Sequence, residues 1–410
     1  MADSNHARRV QLALQEVSLK LGEGDLNAAS LAAQRYLDLV GSRASVAVPP
    51  LVTLDALADE SSVTVVARTD DDSVPSTARV GSGLIQHARW SQAYQPPPLR
   101  LFLLRFCEVV FPNVLMTAED KIVDDNIGYT NSELCAHLSP GFPGVAASQS
   151  HIVLAEQNRE TVFIDEPSIY LPVSENYAVW LFGSLPRLAA FSRRPELAQL
   201  PIVLHGEVKS FHLKSLATLG VPSERLITHG SRVRLKFQKL YYCSSSYLHH
   251  APSLTGVRYV GDGVLRTLGD VASPKRLYLA RRKVTDRSIL NESEVVSLFE
   301  RNGFTAIDPE EHSFETQASL ASRADIIAGP YGANLANLMF AGRAKKCLIV
   351  ATKPQPEFAR LSSAMGIASW HVVPDAVKLR NGRTFSESYG FVASIDLTRA
   401  VLDVCLGADV

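Results

Sequence analysis

The chain has 410 residues, a formal net charge of −1, 46% apolar residues and 20% charged residues. That length exceeds what one hydrophobic core usually supports, so two domains are expected, and the near-zero charge excludes a global field that would draw nucleic acid or an anionic membrane. Cys107, Cys135, Cys243, Cys347 and Cys405 are scattered without a Cys-x-x-Cys pair, which argues against a zinc ribbon or disulfide framework and fits a reducing, cytoplasmic setting.

No apolar run follows the opening Met-Ala-Asp-Ser-Asn-His, so no secretory leader is expected. No stretch reaches the ~18 apolar residues of a membrane span either. Residues 7–40 read as a helical hairpin. Val10, Leu12, Leu14, Val17, Leu19 and Leu21 mark the first helix, Gly22 and Gly24 break it, and Asp25 is placed to cap a second helix over Leu26–Val40. The pair resembles one unit of a helical repeat, and arrays need about three units to stand alone. It is expected to dock on the body of the protein, or else on a protein partner. Ser45–Pro50 is a linker, and Val63–Ala67 reads as a strand. Asp70, Asp71 and Asp72 in the following turn read as solvated charges rather than metal ligands. Residues 101–160 give no clear pattern.

From Thr161 strands and helices alternate. Val162–Ile164 is strand-like, Asn176–Phe191 helical, Pro201–Leu204 a strand, Phe211–Leu219 a helix closed by Gly220, and Leu235–Cys243 a strand. A second series follows: strand Arg276–Ala280, helix Glu292–Asn302 ended by Gly303, strand Thr305–Ile307, and helix Ser313–Arg323. The series ends with strand Cys347–Ala351, helix Glu357–Met365 and strand Trp370–Val373. Two such series predict an α/β fold of two doubly wound domains facing a cleft.

Between these elements, Ala324–Phe340 carries the most informative signal. A buried strand ending in Ile326-Ile327-Ala328 runs into Gly329, Pro330 and Gly332, and a helix follows from Ala333. That geometry aims free backbone N–H groups, and the positive end of a helix, at an anion outside the strand's carboxyl end. The strand Leu277–Ala280 delivers Arg281, Arg282 and Lys283 to the same edge, with Arg287 just beyond. A guanidinium fork suits a diphosphate, and at least one of Arg281 and Arg287 is the expected ligand. Asn291 reads as a helix cap, Ser313 as another. Asn334 and Asn337 lie on the first turns after Gly332, where they bond either a ligand or the local backbone.

These residues together resemble the family-61 glycosyltransferases. The resemblance rests on Tyr278-Leu279-Ala280-Arg281, Arg287, Asn291-Glu292, Gly303-Phe304, Gln317 and Gly329-x-x-Gly332-Ala333-x-Leu335-x-Asn337. In the first half, Asn176-Tyr177, Trp180-Leu181 and Leu185-Pro186-Arg187-Leu188 match a second family segment. It implies a GT-B fold of two Rossmann-like domains, with an acceptor-side domain over 45–245, a nucleotide-sugar donor domain over 246–410, and the hairpin of 1–44 apart. It further implies inverting transfer without a metal or other cofactor, from a nucleotide sugar to a glycan acceptor, as in surface and capsular polysaccharide synthesis. Donor contacts are expected from Arg281, Arg287, Asn291, Gln317, Tyr331, Gly332, Ala333, Asn334 and Asn337, and acceptor-side contacts from Asn176, Tyr177 and Trp180. Four polar family positions are altered, to Val179, Gly183, Tyr331 and Val350 or Ala351.

The transfer needs a general base. His205 and Glu207 follow the strand that ends at Leu204, and Glu175 precedes the Asn176 helix; these three are the candidates. The alternative is a catalytically degenerate relative that binds a nucleotide sugar or a partner without turnover. No Gly-x-Gly-x-x-Gly follows a predicted strand, which argues against a dinucleotide oxidoreductase.

Overall fold

The computed structural model describes residues 2–40, 42, 44–75, 78–81, 94–111, 114–125, 144–147, 150–156, 159–248, 251–269, 273–283, 288–353, 355–373 and 391–407. The hairpin forms as helices Ala2–Gly22 and Leu26–Leu39, with the Asp25 carboxylate accepting from Ala28 N at 3.0 Å. Val17 and Leu21 of the first helix pack on Ala29, Ala32, Ala33 and Leu37 of the second. Val153 joins them from a small antiparallel sheet of Ser45–Ala47, Ile152–Glu156 and Gly144–Ala147, so the hairpin is docked on the chain's own body. No helix among the described residues is long and apolar enough to cross a membrane.

Two large sheets make the rest. The first is mixed, not doubly wound as the strand–helix alternation suggested. Strands Leu226–His229, Ile202–His205, Ser168–Pro172 and Val233–Cys243 run parallel in that order. The 13-residue strand Leu99–Phe111 then pairs antiparallel with Val233–Cys243 and carries the sheet on into further antiparallel strands. Leu99–Phe111 is illegible as a strand because its apolar run is nearly continuous, and Phe106, at φ 55°, interrupts the alternation. Ser168–Pro172, buried at every position, is missed because so short a run, Ile169-Tyr170-Leu171 between Ser168 and Pro172, has no period to read.

The second sheet is all parallel: Thr305–Ile307, Arg276–Leu279, Ile326–Pro330, Lys346–Val350, Ala368–Val372, and at the far edge Ala78–Gly81 from much earlier in the chain. Among the five strands of the second half Arg276–Leu279 comes first in sequence yet lies inside the sheet, with its successors Thr305–Ile307 and Ile326–Pro330 on opposite sides. The strand order therefore reverses between it and Ile326–Pro330, which opens a crevice at their carboxyl ends.

One apolar core joins the two sheets, with Trp180, Leu181 and Leu185 from one side and Leu277, Leu279, Ile327 and Leu335 from the other. Helix Leu254–Thr267 lies between them. Its glycines permit close approach: a Cβ on Gly256 would stand 2.7 Å from Pro186 Cβ, and one on Gly261 2.6 Å from the Met339 carbonyl oxygen. Asp71, read as a solvated turn residue, serves this helix by accepting from Thr255 N at 3.0 Å and from Ser253 Oγ at 3.2 Å.

The Asn176–Phe191 helix forms with changing pitch. Tyr177–Val179 is α, Trp180–Ser184 π, Leu185–Arg187 3-10 and Leu188–Ser192 α. Pro186 has no N–H to offer the Phe182 carbonyl, which takes the Ser246 hydroxyl at 2.5 Å instead. The expected α-helix after Gly332 is likewise a 3-10 helix, Ala333–Phe340.

Candidate functional site

The crevice is built around Arg281. Leu277, Tyr278 and Leu279 bury the strand before it, and the strand's end places the Arg281 guanidinium across the glycine turn. A Cβ on Gly332 would stand 1.6 Å from Arg281 Nη1 and 2.3 Å from its Cζ. Gly332 is extended (φ 166°), so glycine is needed here for space and not for conformation. Arg281 Nη1 donates to the Tyr331 carbonyl at 2.6 Å, and its backbone N–H donates to Glu292 Oε1 at 2.8 Å. Burial raises the Glu292 pKa. Gly329 serves the same crowding, since a Cβ there would meet the Leu279 carbonyl at 2.7 Å. The neighbouring cations face elsewhere: Arg282 pairs with Asp308 at 2.6 Å and Lys283 with Glu311. Arg287 lies outside the described residues.

A line of polar contacts crosses from the first half of the chain to the second. Tyr177 Oη donates to Asn337 Oδ1 at 2.9 Å; Asn337 Nδ2 donates to Gln317 Oε1 at 3.0 Å; Gln317 Nε2 donates to the His312 carbonyl at 3.1 Å. Asn334 Nδ2 donates to the Leu279 carbonyl at 2.8 Å, and its Oδ1 is buried with no hydrogen-bond partner among the described residues. A buried acceptor left open is costly unless something fills it.

These residues wall a cavity of about 440 Å³ between the two halves. Tyr177, Ser210, Phe211 and Lys214 line it from one side; Arg281, Gln317, Ala333, Asn334 and the Pro309–Phe314 segment, with Glu310 and His312, line it from the other. It has the size and mixed lining of a small-molecule site. Of the residues expected from sequence, Arg281, Gln317, Ala333, Asn334 and Tyr177 come together here. Gly332, Asn337 and Tyr331 support them from beneath. Tyr331 is held by its hydroxyl, which donates to Glu357 Oε1 at 2.5 Å, and by the edge of Phe358 at 5.6 Å.

Other expected residues are used differently. Asn291 neither caps its helix through its side chain nor lines the cavity; its amide exchanges hydrogen bonds with the Ala393 backbone at 2.9 and 3.0 Å. Asn176 caps the helix of Tyr177 by accepting from Ala178 N and Val179 N at 3.0 and 3.2 Å. Trp180 is fully buried, with Nε1 donating to Ser215 Oγ at 2.9 Å and its ring edge-on to His212 at 4.6 Å. These contacts aim Tyr177 at Asn337.

None of the three expected bases lines the cavity. His205 is fully buried, and its Nε2–H donates to the Val233 carbonyl at 3.0 Å. That enclosure lowers its pKa to about 4, because a charge there would lose its water. Glu207 is exposed, with Ser231 Oγ 3.4 Å away. Glu175 is exposed and pairs with Lys209 at 2.8 Å, which lowers its pKa. Conversely, His312 and Glu310 went unnoticed in the sequence. The signal was available: they follow the strand Thr305–Ile307, whose carboxyl end faces the same crevice. Ser210, Phe211 and Lys214 had no such signal.

Fold and cavity define an α/β protein with an arginine-bearing cleft at a reversal of strand order. The model of the glycosyltransferase 61 family matches residues 145–349, half of the 410-residue chain, and the chain belongs to that family. The resemblance carried by the motifs is borne out. No curated protein matches. Among solved structures the chain is similar to the dodecameric iron-containing heptosyltransferase TibC in complex with ADP-D-β-D-heptose, at 11% identity over 62% of this chain and 77% of that one, with a TM-score of 0.28. It is also similar to the iron-containing glycosyltransferase TibC from enterotoxigenic E. coli H10407, at 10% identity over 64% of this chain and 80% of that one, with a TM-score of 0.30. Both likenesses are slight and fix no residue of this chain.

Proposed function

We propose that this glycosyltransferase takes its sugar from a nucleotide-sugar donor and transfers it to a hydroxyl of a glycan acceptor with inversion and without a metal. The reading includes a GT-B arrangement, with the donor held by residues 246–410 and the acceptor by 45–245, and a cytoplasmic role in surface polysaccharide synthesis. The observation that carries it is the Arg281 guanidinium laid over Gly332 at the strand-order reversal. A diphosphate placed there meets a fixed cation in a partly dry cleft, where charge is worth more than in water. Asn334, which also lines the cavity, carries a buried Oδ1 with no hydrogen-bond partner among the described residues. Calorimetry with UDP-, GDP- and dTDP-sugars tests the assignment. Arg281→Ala should weaken the best donor about 10- to 100-fold, the loss of a charge-assisted hydrogen bond. Unchanged binding of every donor would sink it.

A second reading, binding without turnover, draws on the absence of the three sequence-derived bases from the cavity wall and on Val179 and Gly183 at positions that are polar in the family. A glycosylated product made by the purified protein would remove it.

A further inference from the structure

We propose that His312 is the proton acceptor of the transfer, a role that rests on the donor reading above. Attack by an acceptor hydroxyl requires a group in the cavity that can take its proton. Among the titratable residues that line the cavity, Arg281 and Lys214 are cations at neutral pH and have no proton vacancy. Tyr177 donates its hydroxyl to Asn337, and burial pushes its pKa well above the usual tyrosine range. Two groups remain. Glu310 is exposed to bulk water at the rim, whereas His312 is half-buried.

The backbone at His312 is fixed from both directions. Its N–H donates to the Pro309 carbonyl at 3.0 Å, and its carbonyl accepts from Gln317 at 3.1 Å. Through Gln317 and Asn337 that anchor reaches Tyr177 on the other half of the protein, so engagement of the two halves holds His312 in the cavity wall. The imidazole has no hydrogen-bond partner among the described residues. Its backbone is tied down and its ring is left open, which is the economy expected of a group that meets a substrate. The charged groups around it are Glu310 and Glu311 on its own segment, Arg281 from the neighbouring strand end, and Lys214 paired with Glu315 at 3.7 Å. Glu311 is engaged by Lys283.

The step balances without a further reactant. The proton of the acceptor hydroxyl moves to a ring nitrogen of His312 as its oxygen bonds the anomeric carbon. The bond from that carbon to the diphosphate oxygen breaks, and its electron pair leaves with the nucleoside diphosphate beside Arg281. Water in place of the glycan gives slow donor hydrolysis by the same route.

The test uses the full chain with UDP-, GDP- and dTDP-sugars, reading nucleoside diphosphate release, donor Kd and the pH–rate profile. His312→Asn should lower kcat about 10²- to 10⁴-fold while donor Kd stays within twofold. The acid limb of the profile should vanish in the variant. His312→Gly with added imidazole should recover part of the rate. His312→Asn and His312→Gln that retain wild-type kcat and the acid limb overturn the assignment alone. If the wild-type chain releases no diphosphate from any donor, the transferase reading falls and this one falls with it.

Discussion

The two halves of the molecule each bury an arginine, and they use it in opposite ways. Arg187 is 2% exposed and Arg281 6%. Arg187 is saturated by its own half: Nε donates to the Gly183 carbonyl at 2.7 Å, Nη1 donates to the Cys243 carbonyl at 2.9 Å and lies 3.7 Å from Asp125 Oδ2, and the guanidinium rests over Tyr242. Asp125 in turn takes the Tyr242 hydroxyl and, at 2.7 Å, the Ser245 N–H. Arg281 instead lines a cavity, in company with a buried Asn334 Oδ1 and a His312 ring that have no hydrogen-bond partner among the described residues. Burial alone therefore does not mark a functional charge. What separates the two is whether the charge also faces a cavity that a ligand could enter.

Arg187→Met breaks this comparison most strongly. Removing one member of a buried ion pair leaves Asp125 uncompensated, and we expect about 3–5 kcal/mol of stability to be lost in urea denaturation, with donor affinity of the folded fraction unchanged. A variant as stable as wild type would mean that the Arg187 network is not an anchor.

His205 probes the same saturated half through pH. Its pKa is held down to about 4, so between that value and 6.5 the unfolded chain binds a proton that the folded chain refuses. Stability is full above about pH 6.5 and declines as the pH falls toward 4, by on the order of 3 kcal/mol from this group. His371, buried and held down to about 3, adds to the slope, so the informative quantity is the difference between wild type and His205→Gln. The variant's stability curve should be flatter over pH 4–6.5; parallel curves would place His205 in solvent.

Gly332→Ala sharpens the other side. A Cβ 1.6 Å from Arg281 Nη1 must displace the guanidinium, so donor affinity should fall to that of Arg281→Ala. The double variant should lose no more than either single one, since both remove the same contact. Additive losses by calorimetry would show that Gly332 acts independently of Arg281.

Much of the second half was legible because its elements carry strong local signals. Ser313 caps its helix by accepting from Thr316 N at 3.2 Å, and Gly303 adopts φ 78° after the helix that ends at Arg301. The first half was less so. Ser168–Pro172 is a central strand with no period, and Leu99–Phe111 looks like any apolar run until it finds Val233–Cys243. Asn291 misled because asparagine is a good cap in general, while here Ala393, far along the chain, offers its amide a better-matched pair of backbone groups.

The sequence by itself determined the glycine turn, the arginine at the neighbouring strand end, and the family to which both belong, because strand, turn and cap chemistry act over a few residues. Only the tertiary structure decided which groups share the cavity. Ser210, Phe211, Lys214 and Tyr177 reach it from the other half, and Ala78–Gly81 completes a sheet whose other strands begin at Arg276. It also turned His205 inward and left His312 open. Whether a side chain faces water, a carbonyl or an empty cleft depends on partners far away in sequence, and their placement is set by packing between the two sheets rather than by any local pattern.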